Sequence, residues 1–384
     1  MRFLPRRFRA LRVQKALSLS KGLLLFVALF ASARPSSAEE MYVGTYTHFL
    51  GSRGIYHFHF DPATGAVGKG ELVAKTSNPS FLAIRPGGHF LYAVNENSKG
   101  AVSAFAIGAD RRLSPLNQVS SGGSSPCHVF IDQSGRSALI TNYDSASAAV
   151  FEIRKDGSLG RTTAFKTFQG SSVNKDRQME PHPHSVYLDA SGRYAYVCDL
   201  GTDQIHGFRF NPAKGAIIPD ETASARVAPG SGPRHLALHP RGNFAYVLNE
   251  MGETITAFAR NPSNGALKSI QTAPCLPANF RGWSTAAEIV IHPSGKFLYA
   301  SNRGHDSVSV FSIGPNGRLT PAGFTPTGGK TPRNIAIDPT GKWLITENQD
   351  SGTMFVFRID QKTGKLIPTG QKVLVPAPVC AVFL

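Results

Sequence analysis

Cysteine is scarce in these 384 residues, and its four copies, Cys127, Cys198, Cys275 and Cys380, form no Cys-x-x-Cys pair. That spacing excludes a zinc ribbon and a thioredoxin-like redox motif, and the apolar settings of Cys127, Cys198 and Cys380 suit buried thiols acting as small hydrophobes. Acidic residues are also few, 25 against 41 Lys and Arg, for a formal charge of +16. Half of that excess is local. Residues 1–38 hold eight Lys and Arg and no acid, so the remainder of the chain carries +8. Without a long run of adjacent Lys or Arg, that charge describes a solvated surface and speaks against a nucleic-acid partner, while still favouring small anions at long range. A long hydrophobic run is missing too. The longest stretch, Leu23 to Ala31, is too short to span a bilayer comfortably.

What is present begins with that stretch. Arg2, Arg6, Arg7, Arg9, Arg12, Lys15 and Lys21 precede it, and Ser36-Ser37-Ala38 follows with small residues suited to a peptidase. The pattern predicts a signal peptide over residues 1–38, a periplasmic or secreted product, and no membrane anchor after cleavage. One domain over residues 39–384 follows from the rest of the chain.

Gly (38) and Pro (26) are spread evenly, as many short strands and tight turns require. A repeat organises them. Six units carry one frame, from NPSFLAIRPGGHFLYAVNE at Asn78 to TPRNIAIDPTGKWLITENQ at Thr331. In each a Gly (Gly88, Gly135, Gly192, Gly242, Gly295, Gly341) is followed seven residues later by Asn95, Asn142, Asp199, Asn249, Asn302 or Asn348. Two alternating runs flank each turn, a third such as TITAFAR or SVSVFSI follows, and a short fourth run closes several units. Four antiparallel strands per unit cannot bury both faces alone, so the units are expected to form a ring of blades. The tail APVCAVFL with MYVGTYT and GIYHFHFD completes a seventh unit. An all-β, seven-bladed propeller is therefore predicted, its ring closed by both terminal segments in one blade.

In such a ring the first strand of each blade lies nearest the axis. Its opening positions are unusually polar: Cys127-His128, His184-Ser185, Arg234-His235, Ala287-Glu288 and Arg333-Asn334. A second set, Glu96, Tyr143, Asp199, Glu250, Arg303 and Glu347, lies at or beside the repeated Asn or Asp. From these, His184, Arg234, Glu250 and Arg303 form the expected catalytic group. Two guanidiniums fork onto carboxylate or phosphate oxygens and stabilise a developing oxyanion, and His184 is expected to donate or accept a proton near neutrality. His128, His182, Asp199, His235, Glu288 and Arg333 are expected to bind substrate. His182-Pro183-His184 has the spacing of a zinc pair but no third ligand nearby, so neither metal nor cofactor is expected. The repeated Asn residues, and His239 and His292 where other units have Asp, are expected to cap turns.

The residues YVGTYT, GIYHFHFDPATG, LYAVNE, HPHSV…CDLGTDQI, GPRHLALHP…YVLNE, AAEIVIHPSGKFLYASNRG and APVCAVFL together resemble the lactonase family of 6-phosphogluconolactonase type, related to the fungal carboxy-cis,cis-muconate cyclases. The resemblance covers nearly all of residues 39–384. It implies a seven-bladed propeller and a small anionic or sugar lactone as substrate. In the muconate cyclases the proposed catalytic group is a His, the Arg of a PRH-like segment, the Glu of an NE-like segment and the Arg of an NR-like segment. By that resemblance these are His184, Arg234, Glu250 and Arg303. The implied activity is lactone hydrolysis, with a lactonising cycloisomerase or a non-catalytic binding platform as alternatives. The leader departs from a cytoplasmic 6-phosphogluconolactonase and implies that a related sugar lactone is opened outside the cytoplasm.

Overall fold

The computed structural model describes residues 39–384, which contain strands and turns but no helix. The leader expected over residues 1–38 lies outside the described residues. Seven antiparallel sheets are present, six of them spanning residues 82–120, 126–167, 183–226, 233–274, 285–326 and 332–374, here blades 1 to 6. Blade 7 joins the C-terminal strand Pro378–Phe383 to the strand Glu39–Thr45, which pairs in turn with Gly54–Asp61. Both terminal segments thus meet in one sheet, as the repeat predicted. In blades 3 and 7 the fourth strand is split into two short pieces.

Apolar alternation makes each sheet two-faced, and each face is buried against the next blade. Seven hydrophobic clusters that each straddle two neighbouring blades result, beside a small eighth of Tyr46, Ala377 and Val379 where the ring closes. One joins Tyr92 and Val94 of blade 1 to Ile140 and Phe151 of blade 2, and another joins Tyr42 of blade 7 to Leu91 of blade 1. Hydrogen bonds repeat across the same junctions. Tyr92, Tyr196, Tyr246 and Tyr299 each donate a phenolic O–H to a Gly carbonyl in the next blade, at 2.7–3.0 Å. Each bond contributes about 1 kcal/mol net and sets how far one blade is rotated from the last.

The hairpin turn joining first and second strands is built as the Asp-x-Ser-Gly pattern requires. Gly192 has φ +64, in the left-handed region, while Asp189 Oδ1 accepts from the N–H groups of Arg193 and Tyr194, both at 2.9 Å. His239 and His292 occupy the same turn position. Nδ1 of His239 accepts from Arg241 N–H, and its Nε2 donates to the Gly295 carbonyl of the next blade at 3.0 Å. His292 does the same with Ser294 N–H and the Gly341 carbonyl. A carboxylate has no proton for that second bond, which gives histidine its place here. All four cysteines are buried and free.

Candidate functional site

Pro79, Pro126, Pro183, Pro233, Pro332 and Pro378 stand at or just before the opening of the first strands, where their missing N–H costs no ladder bond. In blades 2, 3, 4, 6 and 7 the next residue is a β-bulge. Pro183 pairs with Asp199 and Ser185 with Cys198, so His184 is left unpaired in the ladder. Arg234, Arg333, Cys127 and Val379 are skipped in the same way. Bulges re-aim side chains, and these form a ring around the mouth of the axial channel. The residues that follow, His128, His235, Glu288 and Asn334, form the next layer down.

A cavity of about 390 Å³ opens at this mouth, lined by Glu96, Cys127, Tyr143, Arg177, His184, Glu250, Trp283, Thr285, Arg303 and Arg333. Blades 1 to 6 all contribute. Blade 7 reaches it through Tyr46, whose O–H donates to Glu96 Oε2 at 2.9 Å and whose ring lies under the Arg333 guanidinium.

Glu250 is the electrostatic centre. Arg177 Nη2 donates to its Oε1 at 2.9 Å, and Arg303 Nη2 and Arg234 Nε each lie 3.1 Å from Oε2. Burial alone would raise this carboxyl, but Arg303, Arg234 and Arg177 outweigh it and hold it at about 2. Arg303 itself is pulled down to about 10, chiefly by burial, and stays cationic at neutral pH.

His184, expected to donate or accept a proton near neutrality, lies on the cavity wall. Burial, then Arg234, His235, Arg333 and Arg303, hold its imidazole well below the ordinary range, so it is neutral. Its Nδ1 has no partner, and neither does Nε of Arg303. Buried polar atoms are usually paired, so these two stand out on the cavity wall.

The expected substrate-binding residues divide by depth. Arg333 lines the cavity. Arg234 lies just beneath it, its Nη1 donating to the Ala287 carbonyl. His128, His235 and Glu288 are buried in the channel layer below, where they face one another and not the cavity. The His128 and His235 rings are 5.5 Å apart, and His235 Nδ1 meets Glu288 Oε1 at 2.8 Å. Asp199 is fully buried and capping a turn, accepting from His182 N–H at 2.7 Å and Gly201 N–H at 3.0 Å. His182 stacks on Tyr143 with its Nδ1 against the Tyr143 carbonyl. Neither lines the cavity. For His128 and His235 the bulge is the physical reason, because it separates each by a whole layer from the mouth residue before it, Cys127 or Arg234. Asp199 and His182 lie outside a bulge and are taken up by turn and stacking contacts.

Two cavity residues carry no repeat signal. Arg177 sits in the irregular connection between blades 2 and 3, held by Asn174 Oδ1, which accepts its N–H at 3.1 Å, and by the buried Gln178, which bonds the Leu200 carbonyl. Trp283, 72% exposed, stands on the rim in the connection to blade 5.

Comparison with known proteins gives a consistent family. The lactonase pattern, described as a seven-bladed β-propeller, matches residues 40–383. The 6-phosphogluconolactonase of Bacillus subtilis is 34% identical over 89% of this chain and 97% of its own. That of Formosa agariphila is 37% identical over 87% and 96%. The structure of the Pseudomonas aeruginosa periplasmic gluconolactonase superposes with a TM-score of 0.86 at 33% identity, covering 91% of this chain and 99% of that one.

Proposed function

The chain belongs to the seven-bladed β-propeller lactonase family, and on that premise we propose that it is a lactone hydrolase of the 6-phosphogluconolactonase type that opens a sugar lactone at the cavity around His184 and Glu250. One observation carries the reading. Four guanidiniums, Arg177, Arg303 and Arg333 on the wall and Arg234 beneath, surround two carboxylates, Glu96 and Glu250, beside a neutral, unpaired imidazole.

Arg303 and Arg333 polarise the lactone carbonyl and stabilise the oxyanion of the tetrahedral intermediate. His184 takes a proton from water as the water oxygen bonds to the carbonyl carbon. Its field disfavours the imidazolium, so the proton passes readily to the ring oxygen as that C–O bond breaks, leaving a hydroxy acid. Glu250, held ionised, keeps the guanidiniums apart and aimed. Arg177 supplies a further cation for an anionic group on the sugar. The excess positive charge opposes a divalent ion in the cavity, so the hydrolysis is proposed to proceed without metal. The leader expected over residues 1–38 and the similarity to the Pseudomonas aeruginosa periplasmic gluconolactonase support action outside the cytoplasm on a related sugar lactone.

The test is turnover by the purified, chelator-treated protein on 6-phosphogluconolactone, gluconolactone and a muconolactone. Acceleration of either sugar lactone over its spontaneous hydrolysis is expected. Turnover of the muconolactone alone would make it a cycloisomerase-type enzyme, and no turnover of any would leave a binding platform.

A further inference from the structure

The unit that closes the ring carries a cluster far from this cavity. The strand Glu39–Thr45 ends at the mouth, and Glu40 lies five residues back along it, roughly 16 Å toward the opposite face at strand rise. Glu40 is directly opposite His59 in the ladder, and His57 shares the face of His59 because strand side chains alternate. His57 Nε2 lies 2.7 Å and His59 Nδ1 2.8 Å from one carboxylate oxygen, Glu40 Oε2. Arg111 of blade 1 binds the other oxygen, Oε1, at 3.2 Å.

We propose that Glu40, His57 and His59 bind one divalent transition-metal ion of the Zn²⁺ type, which fastens the first strand of the closing blade. Among the described residues these three offer ligand atoms that all lie within 4.8 Å of one another. Two imidazole nitrogens with one carboxylate oxygen suit Zn²⁺, Ni²⁺ or Cu²⁺ and not the oxygen-seeking Ca²⁺ or Mg²⁺. Tetrahedral ligation sets neighbouring ligand atoms roughly 3.3 Å apart, so the cluster needs to open by about half an ångström. His59 allows that, since its side chain is 65% exposed, whereas those of His57 and Glu40 are 6% and 11% exposed and fixed. Arg111 holds Oε1 aside and leaves Oε2 to a single metal, the role an outer partner plays at a carboxylate ligand. The exposed side of His59 leaves a fourth position for water. The histidine pair at 182 and 184 has the same spacing but lacks this arrangement, because the His184 bulge breaks the alternation and His182 is stacked on Tyr143.

This site is independent of the lactonase reading, and its ion takes no part in hydrolysis. The experiment is calorimetric titration of ZnCl₂ into untagged, chelator-stripped protein, with Co²⁺ absorption as a second readout. One ion per chain with micromolar or tighter affinity is expected, with visible Co²⁺ bands of histidine ligation and a raised melting temperature. His59→Ala, at an exposed position that folding does not need, weakens binding at least tenfold and removes the bands, while sugar-lactone turnover is unchanged. No saturable binding below about 100 µM, or equal binding by H59A, overturns the proposal.

Discussion

Replacing Glu250 with Gln keeps the shape of the side chain and removes the charge that three guanidiniums share. The ordinary carboxyl value of 4.5 falls to about 2 in the fold, which corresponds to ~3 kcal/mol of favourable interaction with the ionised form. A folded value below the unfolded one means that this stabilisation is present above about pH 4.5 and is lost as pH falls toward 2. Removing one partner of a buried ion cluster costs about 3–5 kcal/mol, because the others stay buried without a counterion. Here the cost falls on Arg234 and Arg303, whose side chains are 3% and 11% exposed, since Arg177, at 42%, can turn to water. Urea unfolding at pH 7 should therefore show E250Q less stable by ~3 kcal/mol, with the gap to wild type narrowing as pH drops from 5 to 3. Proton release during lactone opening should show kcat/KM lowered by at least about a hundredfold, since the oxyanion donors lose their aim. An unchanged urea midpoint together with a rate within threefold of wild type refutes the claim that Glu250 organises the cavity.

A neutral His184 leaves kcat/KM flat from pH 8 to pH 5.5, where a histidine of ordinary pKa would lose roughly tenfold; a pH–rate profile that breaks near 6.5 counts against the buried, cation-flanked imidazole. Arg177→Ala should raise KM for a phosphorylated lactone about tenfold more than for gluconolactone, with kcat nearly unchanged, because Arg177 is placed for a ligand charge and not for the carbonyl; equal effects on the two substrates exclude that role. Glu347 is fully buried with neither carboxylate oxygen paired, and burial followed by Glu288 pushes its carboxyl well above the ordinary range. A folded value raised above the unfolded one removes stability as pH rises past about 4.5, so Glu347→Met should raise the urea midpoint at pH 8 by more than at pH 5, and a lower midpoint at both would contradict this account.

The ring was legible in the sequence because its determinants are local and repeated. A Gly in the hairpin turn followed by an Asn or Asp seven residues later, between alternating apolar runs, marks six of the seven blades without knowledge of their neighbours. The two terminal fragments could be joined for the same reason, since APVCAVFL and MYVGTYT each read as half of a blade. Much of the site was legible for a different reason. Arginine and glutamate beside a propeller axis are costly unless paired, and Arg234, Glu250 and Arg303 do pair. The illegible part depends on depth. A bulge moves His184 and Arg333 to the mouth and their neighbours Ser185 and Asn334 below it, and no residue type announces a bulge. Arg177 lies in a connection that repeats nowhere, so only its contact with Glu250 reveals it. The neutrality of His184 arises from burial first and then from Arg234, His235, Arg333 and Arg303 on three other blades, an environment that a single strand cannot disclose.

The layer below the mouth explains why the cavity needs so few local supports. Arg234 Nη1 lies 3.3 Å from His235 Nε2, and a guanidinium that close requires a lone pair on that nitrogen. His235 must then carry its proton on Nδ1, where it donates to Glu288 Oε1 at 2.8 Å. Glu288 Oε2 accepts from Asn334 Nδ2 at 2.6 Å, and Asn334 Oδ1 accepts from Ala381 N–H at 3.3 Å. This chain of bonds passes from blade 4 through 5 and 6 to blade 7, so the position of the Arg234 guanidinium is set by four blades at once. Burial raises Glu288 to about 7, and both of its oxygens face donors, His235 and Ile289 N–H on Oε1 and Asn334 on Oε2. His235 and Glu288, which the sequence pointed to as substrate ligands, thus lie one step away, in the chain of bonds beneath the arginine that pairs with Glu250. The ring holds Arg234, Arg303 and Arg333 at its mouth because each starts from a different blade, and of the four cations only Arg177 depends on a connection around the rim.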